Sequence, residues 1–121
     1  GVGIAAPQYG YNINLFIMYS KSNSRYPDAP ESEPIILINP KIIECSEETE
    51  YGLEGCLSVP KMRGIVKRYK WLKVQYTDIN GNIVEETFEG FIARIFQHEY
   101  DHLNGLLYID RVEKQEDLFL L

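Results

Sequence analysis

The stretch FIARIFQHEYDHL, residues 91–103, decides the fold class, because the strand-like alternation of the preceding chain stops here and a helical period begins. Four of its residues are spaced at i, i+4, i+7 and i+11 and so share one face of a helix: Phe91, Ile95, His98 and His102. Gly90 precedes the stretch, and Asn104-Gly105 follows it as a stop signal. The spacing predicts one helix from about residue 91 to residue 103.

The chain ahead of this helix has the patterns of strands and turns. Five segments carry apolar runs or alternation and are predicted to be strands: residues 14–19, 35–38, 41–46, 69–78 and 82–89. Asn80-Gly81 predicts a hairpin between the last two, and Asn39-Pro40 predicts a turn. The opening GVGIAAPQ, residues 1–8, is predicted to be extended. Residues 21–34, polar with three prolines, are predicted to form an exposed loop.

These segments predict the α+β class, with mostly antiparallel strands packed around one central helix. The 121 residues suffice for one core and carry no linker or internal repeat, so a single domain is expected over residues 1–121. Leu106–Ile109 is predicted to be a short last strand, and EKQEDLFLL, residues 113–121, to begin a further helix. Gly1 is not a natural start, so the sequence leaves open a segment ahead of it.

Composition argues against two classes of function. The net charge of −6 and the isoelectric point near 4.9 disfavour nucleic-acid binding, which needs clustered Lys and Arg. The densest basic stretch, KRYK at residues 67–70, is interpreted as a solvated strand edge. No apolar run approaches the ~20 residues that span a bilayer, so no membrane association is expected.

The two cysteines, Cys45 and Cys56, leave two interpretations open. They could form one disulfide, or they could lie in a reducing compartment where one of them does chemistry. Cys45 lies in an alternating strand pattern and is interpreted as structural, a small buried thiol. Cys56 follows a glycine in the run GLEGCLSVP, residues 52–60, and that glycine allows close approach of the backbone.

The two histidines of the predicted helix indicate a metal site. Residues four apart share a helix face at roughly 6 Å, so His98 and His102 can direct imidazole nitrogens at one ion. Glu99 lies between them, in the His-Glu-x-x-His arrangement of two ligands and a general base. Both of the chain's histidines lie on the apolar stripe, where an unligated pair would be costly to bury. The alternative is an ordinary helix whose histidines are satisfied core or surface groups.

A third ligand is expected from elsewhere in the chain, since a catalytic site usually has three protein ligands and one open position. Cys56 is the candidate, because a thiolate and two imidazoles suit a tetrahedral iron or zinc site. The alternative for this cysteine is a small buried hydrophobic residue.

Three motifs, GVGIAAPQ, EGCLS and QHEYDHLNG, together resemble the signature motifs of peptide deformylases: G-x-G-x-A-A-x-Q, E-G-C-L-S and Q-H-E-x-D-H. Every fixed position is present, in the family's order. The resemblance implies an N-terminal segment ahead of the first motif, so the domain is expected to be truncated at its N-terminus. The resemblance implies an enzyme that removes the N-terminal formyl group from the formylmethionine of newly synthesised polypeptides. It implies Fe(II) as the metal, with Zn, Ni or Co as substitutes, and a location in the bacterial cytoplasm or in a eukaryotic organelle.

The resemblance also implies roles for residues at the matching motif positions. The implied metal ligands are three: Cys56, His98 and His102. Glu99 would be the general acid and base for a water activated at the metal, and the Gln8 amide and the Leu57 backbone N–H would bind the oxyanion. Gly3 would leave room for the substrate backbone. The methionine side chain would lie near four residues: Val2, Glu54, Ile95 and His98.

Several of these assignments have competing interpretations. Ile95 could be ordinary core packing, and Glu54 could pair with Arg68 instead of touching substrate. Asp101 is expected beside the ligands or on the helix surface rather than on the metal. The implied partners are nascent formylated polypeptides, with a transient contact to the ribosome.

Three other functions compete with this interpretation. A diverged protein that binds nascent chains without turnover is disfavoured, because Gln8, Glu99 and all three implied ligands are present. Two alternatives stay open. A zinc peptidase or amidase of other specificity could use the same helix, although typical members take His or a carboxylate as the third ligand. A non-catalytic protein with a structural metal would need four protein ligands, and Cys45 is the residue that could supply the fourth.

Overall fold

A computed structural model describes residues 3–5, 14–19, 33–56 and 59–120. Within these ranges the chain forms eight strands: β1 Gly3–Ala5, β2 Leu15–Met18, β3 Ile35–Cys45, β4 Thr49–Cys56, β5 Val59–Tyr69, β6 Trp71–Thr77, β7 Ile83–Glu89 and β8 Leu118–Leu120. The helix α1 comprises Gly90–Leu103. Two 3₁₀ turns, Tyr108–Arg111 and Gln115–Asp117, separate the helix from β8.

The strands form two antiparallel sheets. The larger sheet has the order β1-β2-β3-β6-β7, and the smaller has the order β4-β5-β8. Each described strand pair is antiparallel. The helix packs against β1, β2, β6 and β7 of the larger sheet and against β5 of the smaller one. The predicted α+β class, with mostly antiparallel strands around one helix, is therefore confirmed.

The core lies between α1 and one face of the larger sheet. Strand β6 alternates strictly, so one of its faces buries three side chains: Leu72, Val74 and Tyr76. Phe96 of α1 is fully buried, and its ring centroid lies 5.2 Å from that of Phe16 and 5.8 Å from that of Phe88. The apolar stripe of the helix and the inward side chains of the strands therefore form one contiguous cluster.

The predicted helix is confirmed within one residue. It begins at Gly90, whose φ of +64° lies in the left-handed region that favours glycine, and it ends at the predicted Leu103. Gly105, with a φ of +78°, donates its N–H to the His102 carbonyl at 3.1 Å, which closes the last turn.

The hairpin predicted at Asn80-Gly81 is also confirmed, since β6 and β7 pair along their whole length. The connection is longer than two residues and covers residues 78–82. The Asp78 carboxylate stabilises this loop, because it accepts hydrogen bonds from the backbone N–H groups of Asn80 and Asn82, each at 2.9 Å.

Two expectations for β3 are wrong. No turn interrupts the strand at Asn39-Pro40; instead Asn39 adopts a φ of +49°, and the pairing with β6 shifts register between Ile38 and Lys41. Asparagine tolerates the left-handed region, so the strand absorbs the irregularity as a bulge. Cys45 ends the strand as an exposed free thiol, which contradicts both its assignment as a buried structural residue and its place in a disulfide.

The segments predicted after α1 are wrong as well. The predicted strand Leu106–Ile109 runs instead into the 3₁₀ turn Tyr108–Arg111. The tail forms a second 3₁₀ turn and then β8, where a helix was predicted. Strand β8 pairs with residues 62–64 of β5, so the backbone partners offered by that strand decide the conformation of the tail.

The smaller sheet has little apolar alternation, and its two long strands were not predicted. Strands β4 and β5 pair from Thr49 with Tyr69 to Glu54 with Gly64. Their buried face carries charges, including Glu54 and Arg68, while Tyr51 on the other face is exposed. The interpretation of KRYK as a solvated edge is therefore wrong for Arg68.

Several predictions fall partly outside the described residues. Of GVGIAAPQ, Gly3–Ala5 is a strand as predicted, and residues 1, 2 and 6–8 lie outside. Of the predicted loop, residues 21–32 lie outside, while Glu33 and Pro34 are exposed and without regular structure. Among the described residues, no helix is long and apolar enough to cross a membrane.

Candidate metal centre

The helix α1 brings His98, Glu99 and His102 into one cluster. One ligand atom from each of the three lies within 4.8 Å of the others. The two imidazole centroids are 4.7 Å apart, with the rings nearly perpendicular at 88°. None of the three residues is more than 9% exposed. The shared helix face that the four-residue spacing predicts is therefore present and buried.

Contacts at Nδ1 set the tautomer of both imidazoles. His98 Nδ1 lies 2.9 Å from Glu54 Oε1, and His102 Nδ1 lies 3.1 Å from the Leu106 carbonyl oxygen. An ionised carboxylate and a carbonyl oxygen can only accept, so each Nδ1 carries a proton, and in the neutral imidazole Nε2 carries the lone pair. This is the form in which an imidazole ligates a metal through Nε2.

Glu54 is a buried carboxylate that two arginines hold in place. Arg68 donates to both of its oxygens, at 2.8 Å each, and Arg94 Nη1 donates to Oε2 at 2.7 Å. Burial alone would raise the pKa of Glu54, but hydrogen bonds from Arg68 and His98, together with the charge of Arg68, outweigh it and lower the pKa to about 2. Glu54 is therefore ionised at neutral pH, as its contact with His98 requires.

Arg68 also reaches Asp101, on the same helix as the histidines. Its Nη1 donates to Asp101 Oδ2 at 2.7 Å. Arg111 donates to both oxygens of Asp101, at 3.1 and 2.9 Å. Both carboxylate oxygens of Asp101 are thus engaged by arginines, which agrees with its expected place beside the ligands.

The segment after α1 packs back onto the cluster. The Leu106 N–H donates to the Asp101 carbonyl at 2.8 Å, which brings the Leu106 carbonyl to His102. The buried Tyr108 ring stacks on His98 with centroids 6.2 Å apart. A Cβ on Gly64 of β5 would lie 3.1 Å from the Tyr108 ring, so this glycine makes room for it.

The remaining predicted site residues are distributed unevenly. Ile95 is buried in the apolar core, where its neighbours belong to the larger sheet cluster. Gly3 begins β1. The backbone of Cys56 ends β4, the strand that also contains Glu54. The side chain of Cys56 lies outside the described part of the chain, as do three whole residues: Val2, Gln8 and Leu57.

Two site residues escaped the sequence reasoning. Arg94 is one turn before His98, and that i,i+4 spacing could have indicated a cation on the histidine face. Gly52 leaves the space that the Arg94 guanidinium fills, since a Cβ there would lie 2.6 Å from Arg94 Cζ. No sequence pattern signals that contact, because Gly52 and Arg94 belong to different elements.

The donors of the cluster fit a divalent transition-metal ion. Two neutral imidazoles with their protons on Nδ1 supply nitrogen ligands, and a buried carboxylate lies beside them. Glu99 Oε1 is 3.9 Å from His102 Nε2, the nitrogen that carries the lone pair. The geometry alone is compatible with Glu99 as a ligand or as a base beside one.

A family model described as polypeptide deformylase matches residues 1–117. The chain belongs to the polypeptide deformylase family. This family is metal-dependent, in agreement with the His98–Glu99–His102 cluster.

Similar deformylases come from several bacteria. Peptide deformylase 2 of Nostoc sp. is 57% identical over 113 residues, which make up 93% of this chain and 63% of that protein. The peptide deformylase of Thermotoga neapolitana is 45% identical over 120 residues, 99% of this chain and 67% of that protein. The chain thus spans a little less than two thirds of the Nostoc protein's length.

Solved deformylase structures share the fold. A class I type b peptide deformylase from Acinetobacter baumannii, with Met-Ala-Ser bound, superposes with a TM-score of 0.91 at 52% identity, covering 93% of this chain and 70% of that one. A peptide deformylase from Synechococcus elongatus in complex with actinonin superposes with a TM-score of 0.83 at 39% identity, covering 97% and 59%.

Replacing Arg68 by methionine tests the buried network. We expect Arg68→Met to lower the free energy of unfolding by up to about 3–5 kcal/mol, because it removes the arginine that Glu54 and Asp101 share and leaves each buried carboxylate with one arginine, Arg94 or Arg111. The measurement is denaturant unfolding of the mutant and the wild type.

The matched control is Lys70→Met, which removes a half-exposed cation that contacts Glu48 at 3.1 Å. Its expected cost is at most about 1 kcal/mol. Equal losses in the two variants would contradict a special role for the buried pair.

Proposed function

We propose that this chain is a metal-dependent peptide deformylase that removes the formyl group from the N-terminal formylmethionine of newly synthesised polypeptides. The observation that carries the proposal is the buried His-Glu-x-x-His cluster, in which partners at Nδ1 fix both imidazoles in the ligating form. Family membership adds the reaction class to that geometry. The peptide in the Acinetobacter relative adds the substrate class.

Three residues would hold the ion: His98, His102 and, by its motif position, Cys56. Softer thiolate ligation is compatible with Fe(II), which we propose as the native ion, with Zn, Ni or Co as substitutes. When bound, the ion supplies Lewis acidity, which lowers the pKa of water and polarises a carbonyl.

Glu99 would be the proton carrier of the reaction. Its buried carboxylate lies beside the lone-pair nitrogen of His102, where it can take a proton from the attacking water. The water oxygen forms a bond to the formyl carbon, the bond from that carbon to the amide nitrogen breaks, and Glu99 returns the proton to the leaving amine. The products are formate and a peptide with a free amino group.

The oxyanion would be bound by the Gln8 amide and the Leu57 backbone N–H, which the family motifs assign to this task. Preorganised donors of this kind contribute about 2.7–4 kcal/mol each to transition-state stabilisation. Gly3 begins the edge strand β1 of the larger sheet, and an extended substrate can add to such an edge by backbone hydrogen bonds.

For the methionine side chain we propose a pocket near Val2, Ile95 and His98. Glu54 would act on this pocket indirectly, through its contact with His98. Both oxygens of Glu54 already accept hydrogen bonds from arginines. We further propose that residues 1–121 form a single catalytic domain. It would act on nascent chains in the bacterial cytoplasm or in a eukaryotic organelle, with a transient ribosome contact.

Formate release decides between this function and its rivals. We expect Fe(II)-loaded protein under anaerobic conditions to release formate from formyl-Met-Ala-Ser and to leave acetyl-Met-Ala-Ser intact. An enzyme-coupled formate assay gives the first result, and mass spectrometry of the peptides gives the second. Cleavage between Met and Ala in either peptide would instead identify a peptidase, and metal-loaded protein inert on both would contradict the proposal.

Glu99→Ala separates proton transfer from metal binding. We expect kcat to fall by about 10²- to 10⁴-fold, because general acid–base catalysis contributes that much, while the metal content stays near that of the wild type. Glu99→Gln, which keeps the shape of the side chain, should be equally impaired. A near-normal kcat in the glutamine variant would refute the proton-carrier role.

The two cysteines provide a matched pair for the ligand assignment. Cys56→Ala should lose most of its bound metal after anaerobic purification, because two imidazoles alone hold an ion weakly. Cys45→Ala should keep its metal, since Cys45 is exposed at the end of β3. Metal analysis by atomic emission measures both. Loss of metal from Cys45→Ala would favour a structural site with four protein ligands.

A further inference from the structure

We propose that Arg94 is a positioning residue for the metal centre: held in the space left by Gly52, it fixes the Glu54 carboxylate that orients His98. The inference rests on the proposed function, because it takes His98 as a metal ligand. It gives a role to a buried cation on α1 that the proposed reaction does not use.

Two residues on one face of α1, Arg94 and His98, contact the two oxygens of the Glu54 carboxylate. Arg94 Nη1 donates to Glu54 Oε2 at 2.7 Å, while His98 Nδ1 lies 2.9 Å from Oε1. The two helix residues are four apart, so they share a face of α1. Contacts at both oxygens define the plane of the carboxylate and with it the direction of the hydrogen bond to the imidazole.

Arg94 and Arg68 connect Glu54 to the helix in different ways. Arg68 belongs to β5 and reaches α1 through Asp101, after His98, whereas Arg94 belongs to α1 itself and contacts Glu54 directly, one turn before His98. A shift between α1 and β4 would move Glu54 away from the imidazole even if the pair with Arg68 stayed intact. Arg94 opposes that shift, because it spans the two elements beside the imidazole.

The guanidinium is itself fixed by backbone and by shape. It donates to the Val66 carbonyl at 3.0 Å and to the Glu50 carbonyl at 2.9 Å. A Cβ at Gly52 would lie 2.6 Å from Arg94 Cζ and 2.8 Å from Nε and Nη2. Gly52 lies in a strand and lacks a positive φ, so alanine suits its backbone and would fail only by displacing Arg94.

Substitution at either end of this contact should weaken metal binding. We expect Arg94→Met to raise the Kd for Co(II) by about 10-fold or more and to alter the visible spectrum of bound Co(II), because groups that orient a ligand are worth 10- to 100-fold in affinity. Gly52→Ala should act in the same direction. The double variant should be no weaker than the weaker single variant, since both changes break one contact.

The experiment uses the full chain and a chelator competition for Co(II), with thermal unfolding recorded in parallel. Lys70→Met is the control, a cation removed from a half-exposed ion pair, and its Kd for Co(II) should equal that of the wild type. Arg94→Lys should recover part of the affinity, because it restores the charge without the planar fork. Recovery in this variant also separates positioning from folding.

An unchanged Kd in folded Arg94→Met, with or without a lower Tm, would overturn the inference and leave Arg94 a structural residue. If Arg94→Met does not fold, Gly52→Ala and Arg94→Lys decide in its place by the same criterion. Independent, additive effects of Gly52→Ala and Arg94→Met would also overturn it. Wild-type protein that bound Co(II) but released no formate would refute only the proposed reaction, whereas wild-type protein that bound no Co(II) would refute both.

Discussion

Burial of the Glu54 carboxylate between two arginines constrains how three elements of the fold meet. A charge removed from water requires partners with good geometry, and Arg68 and Arg94 supply them from β5 and α1. Glu54 itself belongs to β4. The requirement to compensate this single charge therefore holds three elements in register, and it fixes the imidazole of His98 at the point where they meet.

The helix divides its surface between two kinds of packing. One face is apolar and contributes Phe96 to the cluster against the larger sheet, where burial of area stabilises it without directional demands. The face toward the smaller sheet is polar and buried, and its contacts are directional hydrogen bonds. Apolar packing sets where the helix lies, and the charged face sets how it is turned and how its imidazoles are oriented.

The segment after the helix supplies the hydrogen-bond partner of the second imidazole, that of His102. Asp101 accepts from Arg68 and Arg111, and its backbone carbonyl accepts from the N–H of Leu106. The Leu106 carbonyl oxygen then lies 3.1 Å from His102 Nδ1. Both histidines therefore receive their orientation from outside the five-residue motif. The motif supplies ligand types and spacing, and the surrounding contacts select the nitrogen that can ligate.

Local sequence patterns were enough to predict the helix, its limits, the β6–β7 hairpin, and the shared face of His98 and His102, because period, turn residues and stop signals act over a few residues. The three sequence motifs also indicated the family. Strand β8 and the burial of Arg68 could not be predicted in this way, because both arise from long-range contacts. The tail becomes a strand because its backbone pairs with that of β5. Arg68 is buried because the carboxylates of Glu54 and Asp101 accept its hydrogen bonds.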